Sequence, residues 1–224
     1  VILALANDFA IPVTGSFLDG PPGTPTQLPE LFSIPFGWGV AAFVFLSAIA
    51  HFLIAGPLFG AYSRQLRQGR TDFRWIEYAL SASWMIVLIA MLTGASDFAA
   101  LLGLFGVNAA MILFGLIAER SGQPGGSGWQ LPFWLGTLFG AVPWIIIAIN
   151  LWAPGQDSSA PTFVYVIFVT IFVFFDSFAV NFWLQYRRVG RWRSYLFGET
   201  AYVVLSLVAK SLLAWQVFAG ALAS

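Results

Sequence analysis

Six apolar stretches, each about twenty residues long, follow one another along the chain and constrain its fold more than any other feature. They cover residues 36–60, 73–94, 99–117, 129–152, 162–186 and 195–222. A helix needs about 20 apolar residues to cross a hydrocarbon core of about 30 Å. Only 9% of the residues are charged, against about 25% in a typical soluble domain. Because lipid offers no hydrogen-bond partner to an open strand, the stretches predict an all-α membrane protein.

The N-terminal part of the chain predicts a further helix and a long loop. Residues 1–6 are apolar but too few to span, so we expect them to be the end of a first helix that this sequence contains only in part. The fold expected is a seven-transmembrane helix bundle in one domain, residues 1–224. Residues 7–35 form a polar loop rich in Pro and Gly, in which residues 11–18 are a candidate for a short β-strand.

Charged residues divide the connections between the spans into two groups. The arginines lie after the first, third and fifth stretches, in alternate connections (Arg64, Arg67, Arg70, Arg74, Arg120, Arg187, Arg188, Arg191 and Arg193). The other connections carry acidic residues and no basic one (Asp8, Asp19, Glu30, Asp97 and Asp157). We expect a multi-pass protein of the cell membrane, and the positive-inside rule predicts its orientation. Its N-terminus and arginine loops are cytoplasmic, and the loop 7–35 and the C-terminus are extracellular.

Composition excludes several classes of function. There is no cysteine, which excludes disulfides and thiolate-bound metals, and a single histidine cannot form a histidine cluster for zinc or iron. The formal net charge is zero, which argues against a nucleic-acid partner. No catalytic constellation is visible, so we do not expect an enzyme.

Lys210 is the sole lysine, and it lies inside the last apolar stretch. It follows residue 195 by fifteen positions, or about 22 Å of helix, which is too deep for an anchor at the interface. A buried amine in a membrane normally has a partner and a function. It can be a nucleophile that forms a Schiff base with an aldehyde, or one half of a structural ion pair between helices. Its position alone does not separate these two interpretations.

Other polar residues inside the spans are candidate partners of the lysine. Glu77 shares a helix face with Ser81, Trp84 and Met85, and Lys210 shares one with Glu199, Tyr202 and Ser206. A carboxylate near the lysine would keep its nitrogen protonated, and Asp176 is a rival to Glu77 because it also lies near mid-membrane. His51 and Asn108 require hydrogen-bond partners. Glu119 and Glu199 lie near the cytoplasmic ends of their helices, where we expect them to be exposed and to have a structural role.

Two blocks of sequence resemble the third and seventh helices of the heliorhodopsins. They are RWIEYALSASWMIVLIA (residues 74–90) and LSLVAKSLLAWQVFAG (residues 205–220). The similarity extends through Asn108, Glu119, the stretch NFWLQYRRVGRW (residues 181–192) and the long first outer loop. Both blocks occur in the appropriate helices and in the appropriate order.

This resemblance implies a cofactor and a set of site residues. It implies all-trans retinal bound through a protonated Schiff base at Lys210, with Glu77 as the counterion. Ser206 and Ser81 are then expected near the Schiff base, with Trp84, Met85, Asn108 and Trp144 as further cofactor-binding residues. A polar network is expected at His51, Asp176 and Glu119. The resemblance further implies a homodimer, an N-terminus inside the cell, and partners that are retinal, membrane lipid and an unidentified cytoplasmic signalling protein.

The same residues argue against a standard light-driven proton pump. Such pumps carry an acceptor carboxylate, a Thr four residues later and a donor carboxylate eleven residues later, whereas Glu77 is followed at those positions by Ser81 and Leu88. They also have an Asp four residues before the lysine, where this chain has Ser206. We therefore expect a light sensor. The alternatives are light-gated ion or proton conduction and, in another class, a small-solute or proton-coupled transporter that uses Lys210 and Asp176 as a buried pair.

Overall fold

The computed structural model of the chain describes residues 8–152 and 160–222, and this part is mostly helical. Four short strands precede seven α-helices. In chain order they are β1 (Ala10–Thr14), β2 (Phe17–Leu18), β3 (Thr26–Gln27), β4 (Glu30–Pro35), α1 (Phe36–Ala55), α2 (Phe59–Arg67), α3 (Asp72–Leu92), α4 (Phe98–Ser121), α5 (Gln130–Trp152), α6 (Thr162–Tyr186) and α7 (Tyr195–Val217). A 3₁₀ turn, Gly190–Arg193, precedes α7, and a π-helical segment, Phe218–Leu222, follows it.

All of the α-helices except α2 are long and apolar enough to cross a membrane, which confirms the six complete spans. Successive spans alternate in direction because the connections between them are short. The arginine side of the bundle comprises α2, the α4–α5 connection and the α6–α7 connection, and the hairpin side carries β1–β4 and the α3–α4 connection. The expected remnant of a first helix, residues 1–6, lies outside the described residues.

Two predicted boundaries differ from the structure. The stretch 36–60 does not form one helix: α1 ends at Ala55, and α2 begins at Phe59 as a separate element. Pro57 causes this break, because proline has no N–H to donate and disfavours the helical conformation of the residue before it. The helix α4 continues to Ser121, beyond the predicted end at residue 117, because Glu119 and Arg120 are held by ion pairs although they interrupt the apolar pattern.

The predicted strand at 11–18 occurs as two strands, β1 and β2, interrupted by Gly15 and Ser16. β1 pairs antiparallel with β4, and β2 pairs antiparallel with β3. The backbone N–H of Thr14 donates to the carbonyl of Ser96 at 2.8 Å, so the hairpin is attached to the α3–α4 connection. The loop therefore folds over the hairpin side of the bundle.

The helix α3 is the most deeply buried span and forms the centre of the bundle. α1 and α4 pack against it, α5 packs against α4, and α6 packs against α7. Small residues allow the closest approaches, as where Gly115 of α4 lies against the Trp75 ring of α3. This arrangement places the polar residues of α3 opposite those of α7.

Candidate functional site

The Lys210 side chain forms a buried ion pair with Glu77. Its Nζ lies 2.6 Å from the Glu77 Oε1, and both side chains are more than 90% buried. Counted along the helices, Lys210 lies much further from the arginine side than Glu77 does. The 2.6 Å contact shows that the offset between α3 and α7 in the packed bundle and the length of the lysine side chain together close this gap.

Ser47 of α1 completes this centre. Its hydroxyl donates to the Glu77 Oε1 at 2.5 Å and accepts from the Lys210 Nζ at 2.5 Å. The Tyr78 ring centroid lies 5.2 Å from the same nitrogen, within the range of a cation–π interaction. Removing one member of a buried ion pair costs about 3–5 kcal/mol, because the other charge is left uncompensated. The pair is therefore expected to stabilise the contact between α3 and α7.

An apolar cavity of about 300 Å³ lies beside the ion pair, and Lys210 is among its lining residues. Its walls come from α3, α4, α5, α6 and α7. Trp144 stands edge-on to Phe168, Phe172 and Phe175, which gives the cavity a rigid aromatic wall. The volume is at the small end of the range for ligand pockets, about 300–1,000 Å³. An amine at the edge of an apolar, aromatic-walled cavity fits a long apolar aldehyde, with which it can form an imine.

The predicted cofactor-binding residues fall into two groups. Met85, Trp144 and Ser206 line the cavity together with Lys210. Trp84 does not line it, because its indole N–H is donated to the Gly39 carbonyl at 2.8 Å, toward α1. Asn108 is also absent from the lining; it donates to the Ser83 hydroxyl at 3.1 Å and joins α4 to α3. Ser81 is fully buried, and its hydroxyl has no partner among the described residues.

The polar residues predicted as a network do not form one cluster. His51 lies one turn after Ser47 on α1, and its Nδ1 is 2.7 Å from the Ser47 carbonyl oxygen. Asp176 lines the cavity but is exposed on the surface of α6, and among the described residues the ion-pair partner of Lys210 is Glu77. The buried Lys210–Asp176 pair required by the transporter alternative is therefore not formed.

Glu119 belongs to a separate buried cluster on the arginine side. Arg74, counted above as a loop arginine, lies in the first turn of α3 and is buried between Glu119 of α4 and Glu199 of α7. The structural role expected of the two glutamates is consistent with these contacts, but their expected exposure is wrong, since each is only 5% exposed. The sequence does carry a signal for Arg74, which directly precedes the apolar run of α3 and could reach neighbouring helices.

Ser47, Tyr78 and Tyr202 are site residues that the sequence analysis did not assign to the centre. Ser47 could have been found from its position one turn before His51, on the same face of a spanning helix. Tyr78 directly follows Glu77, and its hydroxyl donates to the Tyr202 carbonyl at 2.9 Å. Nothing in the sequence indicates this last contact, because it joins residues 124 positions apart.

A bundle of spanning helices with a buried lysine–carboxylate pair beside an apolar cavity has the architecture of the retinal-binding rhodopsins, a class of membrane photoreceptors. The family model described as heliorhodopsin matches residues 1–222, and the chain belongs to the heliorhodopsin family. A search of curated proteins finds no match to the chain. The family suggested by the two sequence blocks is thus confirmed.

Proposed function

We propose that this protein is a light sensor that binds all-trans retinal covalently at Lys210, with Glu77 as the counterion, and that it signals rather than pumps. The observation that carries the proposal is the Lys210–Glu77 pair at the edge of the apolar cavity. Retinal, when bound, supplies the absorption of visible light and the change of shape that follows it. The chain supplies the attachment point, the counter-charge and the cavity.

Each residue of the centre has a distinct task in this proposal. Glu77 stabilises positive charge on the Lys210 nitrogen, from which it is only 2.6 Å away. Ser47 holds the Glu77 carboxylate in place through its hydroxyl. Met85 and Trp144 form apolar walls that keep water from the nitrogen and restrict the shape of the ligand.

The attachment is tested with a matched pair, the native chain and Lys210→Arg. Arginine retains the positive charge beside Glu77 but cannot form an imine, so the variant should fold without binding retinal covalently. After incubation with all-trans retinal and borohydride reduction, intact-mass spectrometry should show one retinyl adduct on the native chain and none on the variant. Because Lys210 is the sole lysine, no other side chain can form the adduct. An adduct on Lys210→Arg, or a native protein that stays colourless with retinal, would contradict the proposal.

The interpretation as a sensor is supported by the distribution of ionisable groups. Beyond Lys210 toward the hairpin side, the described spans contain no carboxylate, imidazole or guanidinium group. Leu88, at the position of a pump's donor carboxylate, is buried in an apolar cluster with Met85 and Met91. A proton relay across the membrane requires a series of exchangeable sites, and the described spans offer no such acid or base in this half of the bundle. Light-gated conduction would need a hydrated path through the same apolar region.

We also propose that the arginine side faces the cytoplasm, which leaves the hairpin and the C-terminus outside. The support is the positive-inside rule, since every arginine connection lies on that side. Because the chain has no cysteine, single-cysteine variants can be labelled without background. In intact cells a membrane-impermeant maleimide should label Thr24→Cys and not Ser127→Cys, both of which are exposed sites. If only Ser127→Cys is labelled, the protein has the opposite orientation in the membrane.

The assembly that we propose is a homodimer. On α4, a methyl group at Gly103 or Gly106 would meet nothing within 4 Å, so this face of the helix is open for close packing with a second copy. Cross-linking in native membranes should give a dimer that Gly106→Trp weakens. A monomer in both proteins would contradict this assignment.

A further inference from the structure

Three ionisable side chains are buried together on the arginine side, away from the Lys210–Glu77 pair. The Arg74 guanidinium lies between two carboxylates, with its Nη2 3.0 Å from the Glu119 Oε1 and its Nη1 in contact with the Glu199 Oε2. The three side chains come from α3, α4 and α7, and each is at least 94% buried. The cluster thus places two acids beside one base in the interior of a membrane protein.

Glu119 is surrounded by hydrogen-bond donors. Its Oε1 accepts from the Arg74 Nη2 and from the Tyr195 hydroxyl, each at 3.0 Å. Its Oε2 accepts from the Trp75 indole N–H at 2.7 Å and from the Thr71 backbone N–H at 3.1 Å. Indole, guanidinium and backbone N–H groups only donate, so a proton on Glu119 would remove an acceptor that these donors require. Glu119 is therefore the ionised member of the two glutamates.

Among the described residues, Arg74 is the donor that contacts Glu199, and the cluster contains no second positive charge. Arg74 already offsets the charge of Glu119. Two of the other basic groups are paired with different acids, Arg120 with Asp72 and Lys210 with Glu77. The remaining arginines of the arginine side are exposed (Arg64, Arg67, Arg70, Arg187, Arg188, Arg191 and Arg193). The remaining titratable groups around the cluster are phenols, namely Tyr62 of α2, Tyr78 of α3, Tyr186 of α6, and Tyr195 and Tyr202 of α7. A buried carboxylate without a counter-charge is expensive, and such a group takes up a proton instead.

We propose that Glu199 carries a proton in the resting protein and serves as an exchangeable proton reserve for the Lys210 site. The direction of exchange rests on the proposed function, because it assumes the chromophore at Lys210. The protonation of Glu199 itself does not depend on it.

A continuous polar face of α7 connects the two sites. Glu199, Tyr202, Ser206 and Lys210 follow one another at helical spacing on this face. The Arg74 guanidinium lies 4.0 Å from the Tyr202 ring centroid, and the Tyr78 hydroxyl lies between the Tyr202 carbonyl and Ser206. Among the described residues, the buried Tyr202 hydroxyl has no hydrogen-bond partner, so it is available to a proton donor or acceptor along this face.

The exchange conserves charge and atoms. When the Lys210 nitrogen is neutral, the Glu199 O–H breaks and an N–H forms at Lys210. The resulting carboxylate is held by Arg74 until it takes up the proton that the nitrogen had released on the arginine side, which restores the resting state. Because the reserve and the nitrogen exchange one proton within the same half of the bundle, the cycle moves no net charge across the membrane.

The first test compares the thermal stability of the protein before retinal is added. Glutamine imitates a protonated glutamate, since it is neutral and has one oxygen acceptor. Glu199→Gln should therefore leave the melting temperature unchanged, whereas Glu119→Gln should lower it by several degrees because its amide N–H₂ would face donors. Equal losses in the two variants would show that Glu199 is ionised and would overturn the proposal.

The second test is light-induced infrared difference spectroscopy on the retinal-bound protein in H₂O and D₂O. A carbonyl band of a protonated carboxyl group should appear in the native difference spectrum, shift in D₂O and disappear in Glu199→Gln. It should persist in Asp176→Asn, the control for the other mid-span acid. A band that persists in Glu199→Gln, or is absent from the native protein, would refute the reserve. If the protein shows no visible absorption after incubation with retinal, the attachment at Lys210 is wrong. The comparison of melting temperatures then still decides whether Glu199 is protonated.

Discussion

At the level of single residues, the properties of the Lys210 nitrogen depend on the carboxylate beside it. Glu77 lies 2.6 Å from this nitrogen and also accepts a hydrogen bond from Ser47. Asp176, the other mid-span acid, lies on α6 at the cavity wall and is exposed. Replacement of Glu77 and replacement of Asp176 are therefore expected to change the colour of the retinal-bound protein differently.

Neutralising Glu77 should shift the absorption maximum to the red. The carboxylate stabilises the ground state, in which positive charge is concentrated at the nitrogen, more than the excited state, in which the charge moves along the polyene. Glu77→Gln removes this preference and narrows the energy gap. Visible spectra of purified retinal-bound protein at neutral pH provide the measurement.

Asp176→Asn is the matched control, since it also replaces a mid-span carboxylate by an amide. It should leave the maximum close to that of the native protein, because Asp176 forms no ion pair with Lys210 among the described residues. A red shift in Asp176→Asn together with an unshifted Glu77→Gln would reverse the assignment of the counterion.

At the level of elements, the contact between α3 and α4 depends on glycine at position 115. A methyl group at Gly115 would overlap the indole of Trp75, whose N–H is donated to Glu119. Gly115→Ala should therefore displace the indole and destabilise the protein by about 1–3 kcal/mol, the usual cost of overpacking. Thermal unfolding followed by circular dichroism measures this loss.

Two glycines of the same helix serve as controls for this substitution. A methyl group at Gly103 or Gly106 would meet nothing within 4 Å. Alanine there should be neutral or stabilising by about 0.5–1 kcal/mol, because glycine is unfavourable inside a helix. Equal effects at positions 103, 106 and 115 would show that helix propensity, and not the contact with Trp75, decides the outcome.

The attachment of the β-hairpin to the bundle should depend on pH through Asp97. The Ser16 hydroxyl donates to the Asp97 Oδ2 at 2.7 Å, and the Ala100 N–H donates to its Oδ1 at 2.9 Å. These hydrogen bonds hold the pKa of Asp97 below its usual value. The pKa of Asp97 is lower when the hairpin is attached than when it is detached. The contact is therefore fully stabilising above a pH of about 3.9, the usual pKa of an aspartate, and it weakens as the pH falls through the lowered pKa.

Hydrogen exchange of the hairpin amides between pH 3 and 6, corrected for intrinsic rates, should show this loss of protection at the acid end. The pH dependence should be much reduced in Asp97→Asn. It should be unchanged in Asp19→Asn, because Asp19 bonds Gln27 within the same loop instead. An identical pH dependence in Asp97→Asn and the native protein would exclude Asp97 as the cause.

At the level of the whole molecule, the carboxylate, imidazole and guanidinium groups of the described spans all lie in one half of the bundle. The Lys210–Glu77 pair and the Arg74 cluster both lie on the arginine side of the Lys210 backbone, while the hairpin-side half is filled by an apolar cluster that includes Phe43, Leu88 and Ile171. A proton that leaves the centre therefore has exchange partners on one side only.

Illumination should accordingly produce no sustained pH change in a suspension of cells that contain the retinal-bound protein. A light-driven proton pump measured in parallel gives the expected positive signal, and a protonophore identifies the part of any signal that comes from transport. A sustained, protonophore-sensitive pH change in cells with this protein would show that a relay crosses the apolar half.

The sequence by itself determined the membrane class, the six complete spans and the family, because these follow from local composition and from motifs within single helices. The hydrophobic pattern places Lys210, Glu77 and Asp176 in their spans without reference to any other helix. It also sets most helix ends, although it missed the break at Pro57 and the last turn of α4, where proline geometry and ion pairs override hydropathy.

Only the tertiary structure decided which polar residues meet. The choice of Glu77 over Asp176, the bridging hydroxyl of Ser47 and the burial of Arg74 between Glu119 and Glu199 all depend on how the helices rotate and slide against one another. Those offsets arise from side-chain packing between residues more than a hundred positions apart, as for Glu77 and Lys210. A periodic pattern along one helix contains no information about its rotation relative to another, so these contacts emerge only when the bundle assembles.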